Sequence, residues 1–254
     1  RLKDKWVFLL ACVLLIQPLP LYYVIRACLD PSFITPAIPT RSFWDATFAV
    51  QSHGSFLETV RVNLWEGQIA SLAWAWDHGR VFQTAALFLL GMLIGRRGLF
   101  QKENLKVWNK ILAGALIAFF PLYGLGNMLP AFIVNKSILT PLSLIITSLS
   151  NFSFMLVLVS GVIFAFYNTN MHYLLMKITP YGKMSLTNYI TQSIVGSMLY
   201  YNWGFALHNQ CGITVSCLAG IAFFILQFTF CRWWMSHHSH GPMEYIWKRA
   251  TWLK

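Results

Sequence analysis

Charge is the scarcest feature of this sequence. Asp, Glu, Lys and Arg make up 11% of its 254 residues, where soluble globular chains carry about 25%. Acids are rarest, eight against nineteen Lys and Arg. A soluble globular domain is thereby excluded. Several catalytic signatures are missing as well: the chain holds no G-x-x-x-x-G-K-[ST], no G-x-S-x-G and no H-E-x-x-H. P-loop nucleotide, serine-hydrolase and zincin chemistry therefore have no support. Cysteine is sparse at five residues. Cys12, Cys217 and Cys231 lie in apolar runs and read as packing residues. Cys28 and Cys211 both fall near the outer face, and spacing alone leaves a bridge between them open. His237, His238 and His240 have no Cys or acid at ligand spacing, so they read as a solvated linker and no metal is expected. The first residue is Arg1 and not Met, which reads as a fragment or processed product. Residues 1–5 followed by an apolar run imitate a signal peptide, but the run over 6–25 is too long and no small-residue cleavage site follows.

What is abundant is apolar. Hydrophobic residues reach 57%, with eleven Trp and twenty Phe, and the mean hydropathy is +0.55. The fold class is all-α, a polytopic membrane helix bundle of about six transmembrane helices plus interfacial amphipathic helices. Residues 1–254 read as one membrane domain, the C-terminal part of a longer protein. The net charge of +11 is assigned to basic cytoplasmic loops, so the partner is the lipid bilayer and no nucleic acid is expected. Oligomeric state is not legible.

The spans are expected over 6–25, 80–95, 111–134, 142–167, 185–205 and 212–234. Pro18 and Pro20 would kink the first near its outer end. Residues 26–79 form a long connection. Pro31, Pro36 and Pro39 mark irregular loop, and 55–76 reads as an amphipathic interfacial helix. The second span is short, so it should continue backward through Leu72. Gly91 and Gly95 allow close helix approach there. Pro121, Gly124, Gly126 and Pro130 break the third span. The fourth offers Thr147, Ser148, Ser150, Asn151 and Ser153 for interhelical bonds. Residues 168–184 read as a loop with a short interfacial helix at 171–178, 206–211 as a tight outer turn, and an amphipathic tail helix starts at Gly241–Pro242. With Arg1 inside, the inner segments hold fourteen Lys and Arg, Lys254 among them, and the outer segments five. That bias places the C-terminus inside.

The segment 185–205 carries no charge and would reach ~31 Å as a helix. At 100° per residue, Ser185, Asn188, Tyr189, Gln192, Gly196 and Tyr200 share one face. Lipid offers no hydrogen bonds, so this face must meet other helices or a wet cavity. Interhelical glue and a substrate wall lined by Asn188, Tyr189 and Gln192 both remain open.

Three blocks of residues carry a resemblance. They are Phe88-Leu89-Leu90-Gly91-Met92 through Gly95-Arg96 with Gly98, Gly182 through Tyr189 with Gln192-Ser193, and Gly241 through Arg249. Together they resemble the bacterial membrane-protein family known as domain of unknown function 418 over about 88–252, with Gly54-Ser55-Phe56 and Arg61 extending it upstream. The resemblance implies a multi-pass protein of the bacterial cytoplasmic (inner) membrane with a cytoplasmic C-terminus. It also implies a distant relation to membrane acyltransferases of the heparan glucosaminide acetyltransferase type, and further N-terminal spans as partners of this chain.

Candidate chemistry is thin. His53 and Glu58 imitate the H-x-x-x-x-[DE] of soluble glycerolipid acyltransferases, a two-residue pattern that chance supplies easily. Asp77-His78 is the catalytic candidate, with Arg80 and the cavity-lining Gln83 beside it. A His next to a carboxylate can act as general base toward an acceptor hydroxyl, or the group is a helix-end cluster in the headgroup zone. Arg96 and Arg97, with Arg249 on the tail helix, can grip donor phosphates or simply set topology. Glu244 could serve there or pair with Arg249 at the surface. No bound cofactor is expected; acyl-coenzyme A is the co-substrate of the enzymatic reading. Two functions stay open: an acyltransferase moving an acyl group from a cytosolic donor to an acceptor at the outer face, and a transporter of a small polar metabolite.

Overall fold

The computed structural model describes residues 3–36 and 40–252. Arg1, Pro39 and Lys254, used in the readings above, lie outside them. Every regular element among the described residues is helical, as composition requires of a chain that must satisfy its backbone without water. In order they are α1 (Asp4–Leu15), α2 (Pro18–Leu29), α3 (Thr40–His53), α4 (Phe56–Leu64), α5 (Glu66–Asp77), α6 (Arg80–Arg96), α7 (Leu105–Phe132), α8 (Lys136–Tyr167), α9 (Thr169–Lys183), α10 (Ser185–Tyr200), α11 (Ile213–His237) and α12 (Pro242–Trp252). Short 3-10 turns sit at Lys102–Asn104 and Leu207–Asn209.

Three helices, Lys102–Phe132, Lys136–Tyr167 and Ile213–His237, are long and apolar enough to cross a membrane, or five spans if two bent pairs each count as one. The expected number was six, and the difference lies in three places. The first span is two helices bent by 51°, and the break is at Gln17, mid-span, not near the outer end. Pro18 crowds the residue before it out of the right-handed helical region, and Gln17 takes φ +62°. The second span does not continue backward through Leu72. Gly79, at φ +63°, ends α5, and the chain turns by 76° before Arg80–Arg96. Third, α10 ends at Tyr200 after 16 residues, roughly 24 Å, short of a ~30 Å hydrocarbon core.

Other expectations are corrected too. The third span is not broken: α7 runs through Pro121 and Pro130. Each proline removes one donor, but they stand two turns apart and the backbone between them keeps its own bonds. α8 starts earlier than residue 142, at Lys136, because the Asn135 side chain caps it by accepting from the Ser137 N–H. The short helix expected at 171–178 is present but longer, and α9 takes up Thr169–Lys183, nearly all of the expected loop. The amphipathic stretch 55–76 is two helices, α4 and α5, interrupted at Trp65, and α3 was not foreseen. All five cysteines are unbridged thiols, Cys28 and Cys211 included.

The chain forms two compact units, Arg1–Thr40 with Ala70–Asn168, and Arg41–Ile69 with Thr169–Lys254. In the first, α7 lies along α8, α1 along α6 and α2 along α8. α1 buries one stripe, Val7, Ala11 and Leu15, at helical spacing. Asp4 in its first turn meets Arg97 at 3.2 Å and Arg96 at 3.6 Å, tying it to the end of α6. Trp108 is fully buried and donates its indole N–H to the Leu99 carbonyl at 2.8 Å. The Tyr167 hydroxyl donates to the Phe100 carbonyl at 2.6 Å. The two bonds hold the turn that Gly98, at φ +58°, makes after α6.

In the second unit α11 packs on α9, and α10 on α12 and α9. Ser55 and Glu58 form a reciprocal capping box that starts α4. That explains the His53/Glu58 pattern: the carboxylate closes a helix end and is not aimed at an imidazole.

Candidate functional site

Two of the left-handed positions of the first unit, Gln17 and Gly79, meet. Gln17 is completely buried, and its amide lies so close to Gly79 that a Cβ on residue 79 would overlap the Gln17 Oε1. Only glycine fits this approach, for steric as well as conformational reasons. The Gln17 Nε2 donates to the Ser148 hydroxyl at 3.0 Å. The Gln83 Nε2 donates to the Ser148 carbonyl at 3.4 Å. Both helix interruptions are thus pinned to one turn of α8. The Gln17 Oε1 itself has no hydrogen-bond partner among the described residues.

Beside this junction opens a cavity of about 350 Å³, lined by the end of α5, the start of α6 and one face of α8. Asp77, His78, Arg80 and Gln83, grouped from sequence alone, all line it. Their spacing brings them together because they straddle one tight turn. The opposite wall is Thr140, Ser143, Leu144, Thr147, Ser148 and Asn151, one stripe of α8. Thr147, Ser148 and Asn151 are expected to bond other helices, and among the described residues only Ser148 of the three does so. Elsewhere in α8, Ser153 and Ser160 donate to the carbonyls of Leu149 and Leu156. The cavity-facing hydroxyls of Thr140, Ser143 and Thr147 make no such bond among the described residues, which leaves them available to a guest.

His78 has a defined protonation pattern. Its Nδ1 lies 3.1 Å from the Trp74 carbonyl, and a carbonyl only accepts. Nδ1 is therefore the donor in this bond, and in the neutral ring Nε2 is the nitrogen left to accept. The ring is stacked on Trp74, centroids 4.9 Å apart. Arg80 stands over the same indole at 5.7 Å and donates to the Gln83 Oε1 at 2.9 Å. Asp77 is exposed and pairs with neither His78 nor Arg80 among the described residues.

Arg96 and Arg97 mark the other end of α6, roughly 24 Å away along a helix of this length. They share one carboxylate, Asp4, which leaves one positive charge in excess.

The polar face of α10 lies in the second unit and is divided. Asn188 is buried and donates from Nδ2 to the Tyr181 carbonyl at 3.1 Å. The Gln192 amide donates to the Gln227 Oε1 at 2.9 Å and to the Tyr181 hydroxyl at 3.0 Å. Gln227 in turn donates to the Asn188 carbonyl at 3.3 Å. Asn188 and Gln192 thus spend their amides on other protein groups. Tyr189 does not share their surroundings: it is 69% exposed, because 100° of rotation separates it from Asn188.

Glu244 is not a surface partner of Arg249. It accepts from the Thr187 N–H at 3.0 Å and from the Thr187 hydroxyl, and the Met243 N–H donates to that hydroxyl at 3.1 Å. No side chain of its own caps α10, so a carboxylate from 57 residues away does so. Burial pushes Glu244 up, but the Thr187 hydroxyl and backbone N–H outweigh it and hold the carboxyl below its ordinary value. A Cβ on Gly241 would overlap the Glu244 carboxylate, so a larger residue there would have to displace Glu244. Arg249 is exposed. His238 stacks on Trp234 and His237 lies tilted against Trp233, and no metal-holding group of three or more His, Cys, Asp and Glu occurs among the described residues.

Gln17, Thr140 and Ser143 escaped the sequence reading. Gln17 had a signal: it is the lone amide of an apolar run and stands directly before Pro18-Leu19-Pro20. Thr140 and Ser143 extend the Thr147–Asn151 stripe by helical periodicity.

No solved structure matches the chain. Among curated proteins it is similar to the uncharacterized protein YxaH of Bacillus subtilis (strain 168), 30% identical over 95 residues, covering 37% of this chain and 24% of that protein. An uncharacterized 39.9 kDa protein in the amylase 3' region of Bacillus acidopullulyticus is 32% identical over 78 residues, 31% of this chain and 22% of the relative. The uncharacterized protein YeiB of Escherichia coli (strain K12) is 29% identical over 83 residues, 31% of this chain and 20% of the relative. The matches therefore span about a quarter or less of each relative's length. A family model described as protein of unknown function (DUF418) matches residues 94–254; with the all-helical architecture and the Thr187–Glu244 contact that joins two of the sequence blocks, the chain belongs to the DUF418 family.

Proposed function

We propose that the chain is part of a bacterial cytoplasmic-membrane acyltransferase whose acceptor binds in the Asp77–His78 cavity. The observation that carries this is that His78, its Nδ1 tied to the Trp74 carbonyl, lines a cavity with Asp77 and several hydroxyl and amide side chains. Nε2 takes the proton from an acceptor hydroxyl as its oxygen attacks the acyl carbonyl of a thioester; the carbon–sulfur bond breaks, and the thiolate leaves and is protonated. Asp77 stabilises the imidazolium, and Arg80 and Gln83 orient the acceptor. Arg96 and Arg97 hold the phosphates of an acyl-coenzyme A at the cytosolic end of α6, so that the extended donor lies along the helix. The inner-membrane setting and cytoplasmic C-terminus rest on the basic bias of the inner segments and require α10 to cross as a short sixth span.

The test is transfer of labelled acetyl from acetyl-coenzyme A to hydroxyl acceptors by the full chain in nanodiscs. The His78→Asn variant should lose at least about 100-fold in rate while melting normally. In parallel, millimolar acetyl-coenzyme A should raise the melting temperature by mass action, and Arg96→Gln/Arg97→Gln should abolish that increment. Equal transfer by wild type and His78→Asn would sink the reading.

A transporter of a small polar metabolite is the second reading, favoured by the paired interruptions at Gln17 and Gly79. Discontinuous helices commonly build substrate sites in transporters. Uptake of polar solutes into proteoliposomes, absent transfer activity, would select it.

A further inference from the structure

The second unit carries an open groove that the proposed chemistry does not use. It is about 320 Å³ in volume and is formed by Phe228, Thr229, Arg232 and Trp233 on one side of α11. Its one charge is Arg232, which lies against the Phe228 ring at 5.9 Å and has no carboxylate partner among the described residues. Arg232 stands five residues before the end of the membrane-length helix Ile213–His237, roughly 8 Å from that end. An unpaired guanidinium at that depth is costly unless it reaches headgroups or a bound anion.

Its surroundings show which anion fits. The Cys231 thiol donates to the Asn188 Oδ1 at 3.2 Å, next to Thr187, which holds Glu244. Arg232 therefore lies level with the first turn of α10 and the start of α12. Lys183 precedes that turn, and Lys248 and Arg249 follow on α12; all three are exposed. Glu244 is the only acid after Glu103, and its carboxylate is turned onto Thr187. Lys and Arg thus outnumber the one carboxylate at this end. Trp233 in the groove and Trp247 and Trp252 on α12 are exposed indoles, side chains suited to the headgroup level.

We propose that this groove binds the phosphodiester of an anionic phospholipid, Arg232 gripping the phosphate while an acyl chain runs along α11 past Phe228. Arg suits a phosphate through its planar fork of donors. Lys183, Lys248 and Arg249 add attraction for the anionic leaflet, which falls off within a Debye length. This assignment is independent of the acyl-transfer reading.

The test is lipid binding to the delipidated full chain in neutral detergent, by native mass spectrometry and thermal shift, comparing dioleoylphosphatidylglycerol with dioleoylphosphatidylcholine. Phosphatidylglycerol should bind roughly fivefold tighter. The Arg232→Gln variant should lose that preference, and Lys136→Gln should keep it. Should Arg232→Gln not fold, the lipids co-purifying with wild type decide: enrichment of phosphatidylglycerol over the membrane's composition supports the site, and its lack overturns it. Equal binding of the two lipids, an unchanged preference in Arg232→Gln, or an equal thermal shift from glycerol 3-phosphate alone would also overturn it.

Discussion

Single residues at helix ends decide the most here. Gly79 is both conformationally and sterically fixed, so Gly79→Ala should cost about 1–3 kcal/mol, read as a lowered melting temperature. An unchanged value would mean that Gln17 and Gly79 do not meet. Glu244 makes a pH-dependent contribution. Its folded value lies below the ordinary one, so its stabilisation is present above the ordinary glutamate value and is lost as pH falls through the lowered folded value. Glu244→Gln should lower stability at neutral pH by about 0.5–2 kcal/mol, as loss of a cap does. It should also flatten the acid limb of the melting profile. Parallel acid limbs in wild type and variant would remove Glu244 as the titrating group. The cluster at 77–83 was legible because it is contiguous in sequence. Gln17 was not legible as part of a site, because its partners Gly79 and Ser148 come from remote segments.

Among elements, α1 and α6 make the clearest helix pair to test. Ala11 is fully buried on α1, so Ala11→Leu should overpack that stripe and cost about 1–3 kcal/mol. Asp4→Asn, by contrast, removes ion pairs to arginines that are 38% and 58% exposed. It should change stability by under about 1 kcal/mol, and less at high salt. Chemical denaturation of both variants in the same detergent checks the ordering, and a larger loss in Asp4→Asn would reverse the roles given to packing and charge. Helix type was legible from apolar runs, but the fate of prolines was not. Pro18 sits at a break, whereas Pro121 lies inside continuous α7. The difference lies in what neighbours can supply. Gln17 leaves the helical region and its side chain is held by Ser148, while the apolar stretch around Pro121 offers no alternative to intrahelical bonding.

At the scale of the whole molecule, topology is the testable property. If the tail is cytoplasmic, as proposed, a C-terminal green fluorescent protein fusion should fluoresce and a C-terminal alkaline phosphatase fusion should stay inactive. The opposite pair of results would invert the chain and put His78 on the cytosolic side. Sequence by itself determined the helical, membrane-compatible class and the family, because scarce charge and long apolar runs leave a chain few other ways to satisfy its backbone. It also marked Asp77, His78, Arg80 and Gln83, whose closeness needs only one turn. Tertiary structure alone decided that Gln17 and Gly79 share one junction against Ser148, and that Asn188 and Gln192 are spent on Tyr181 and Gln227. It alone decided that Glu244 closes α10 instead of meeting Arg249. Each of these contacts joins segments dozens of residues apart, and only the packing of side chains at helix crossings sets which of them meet.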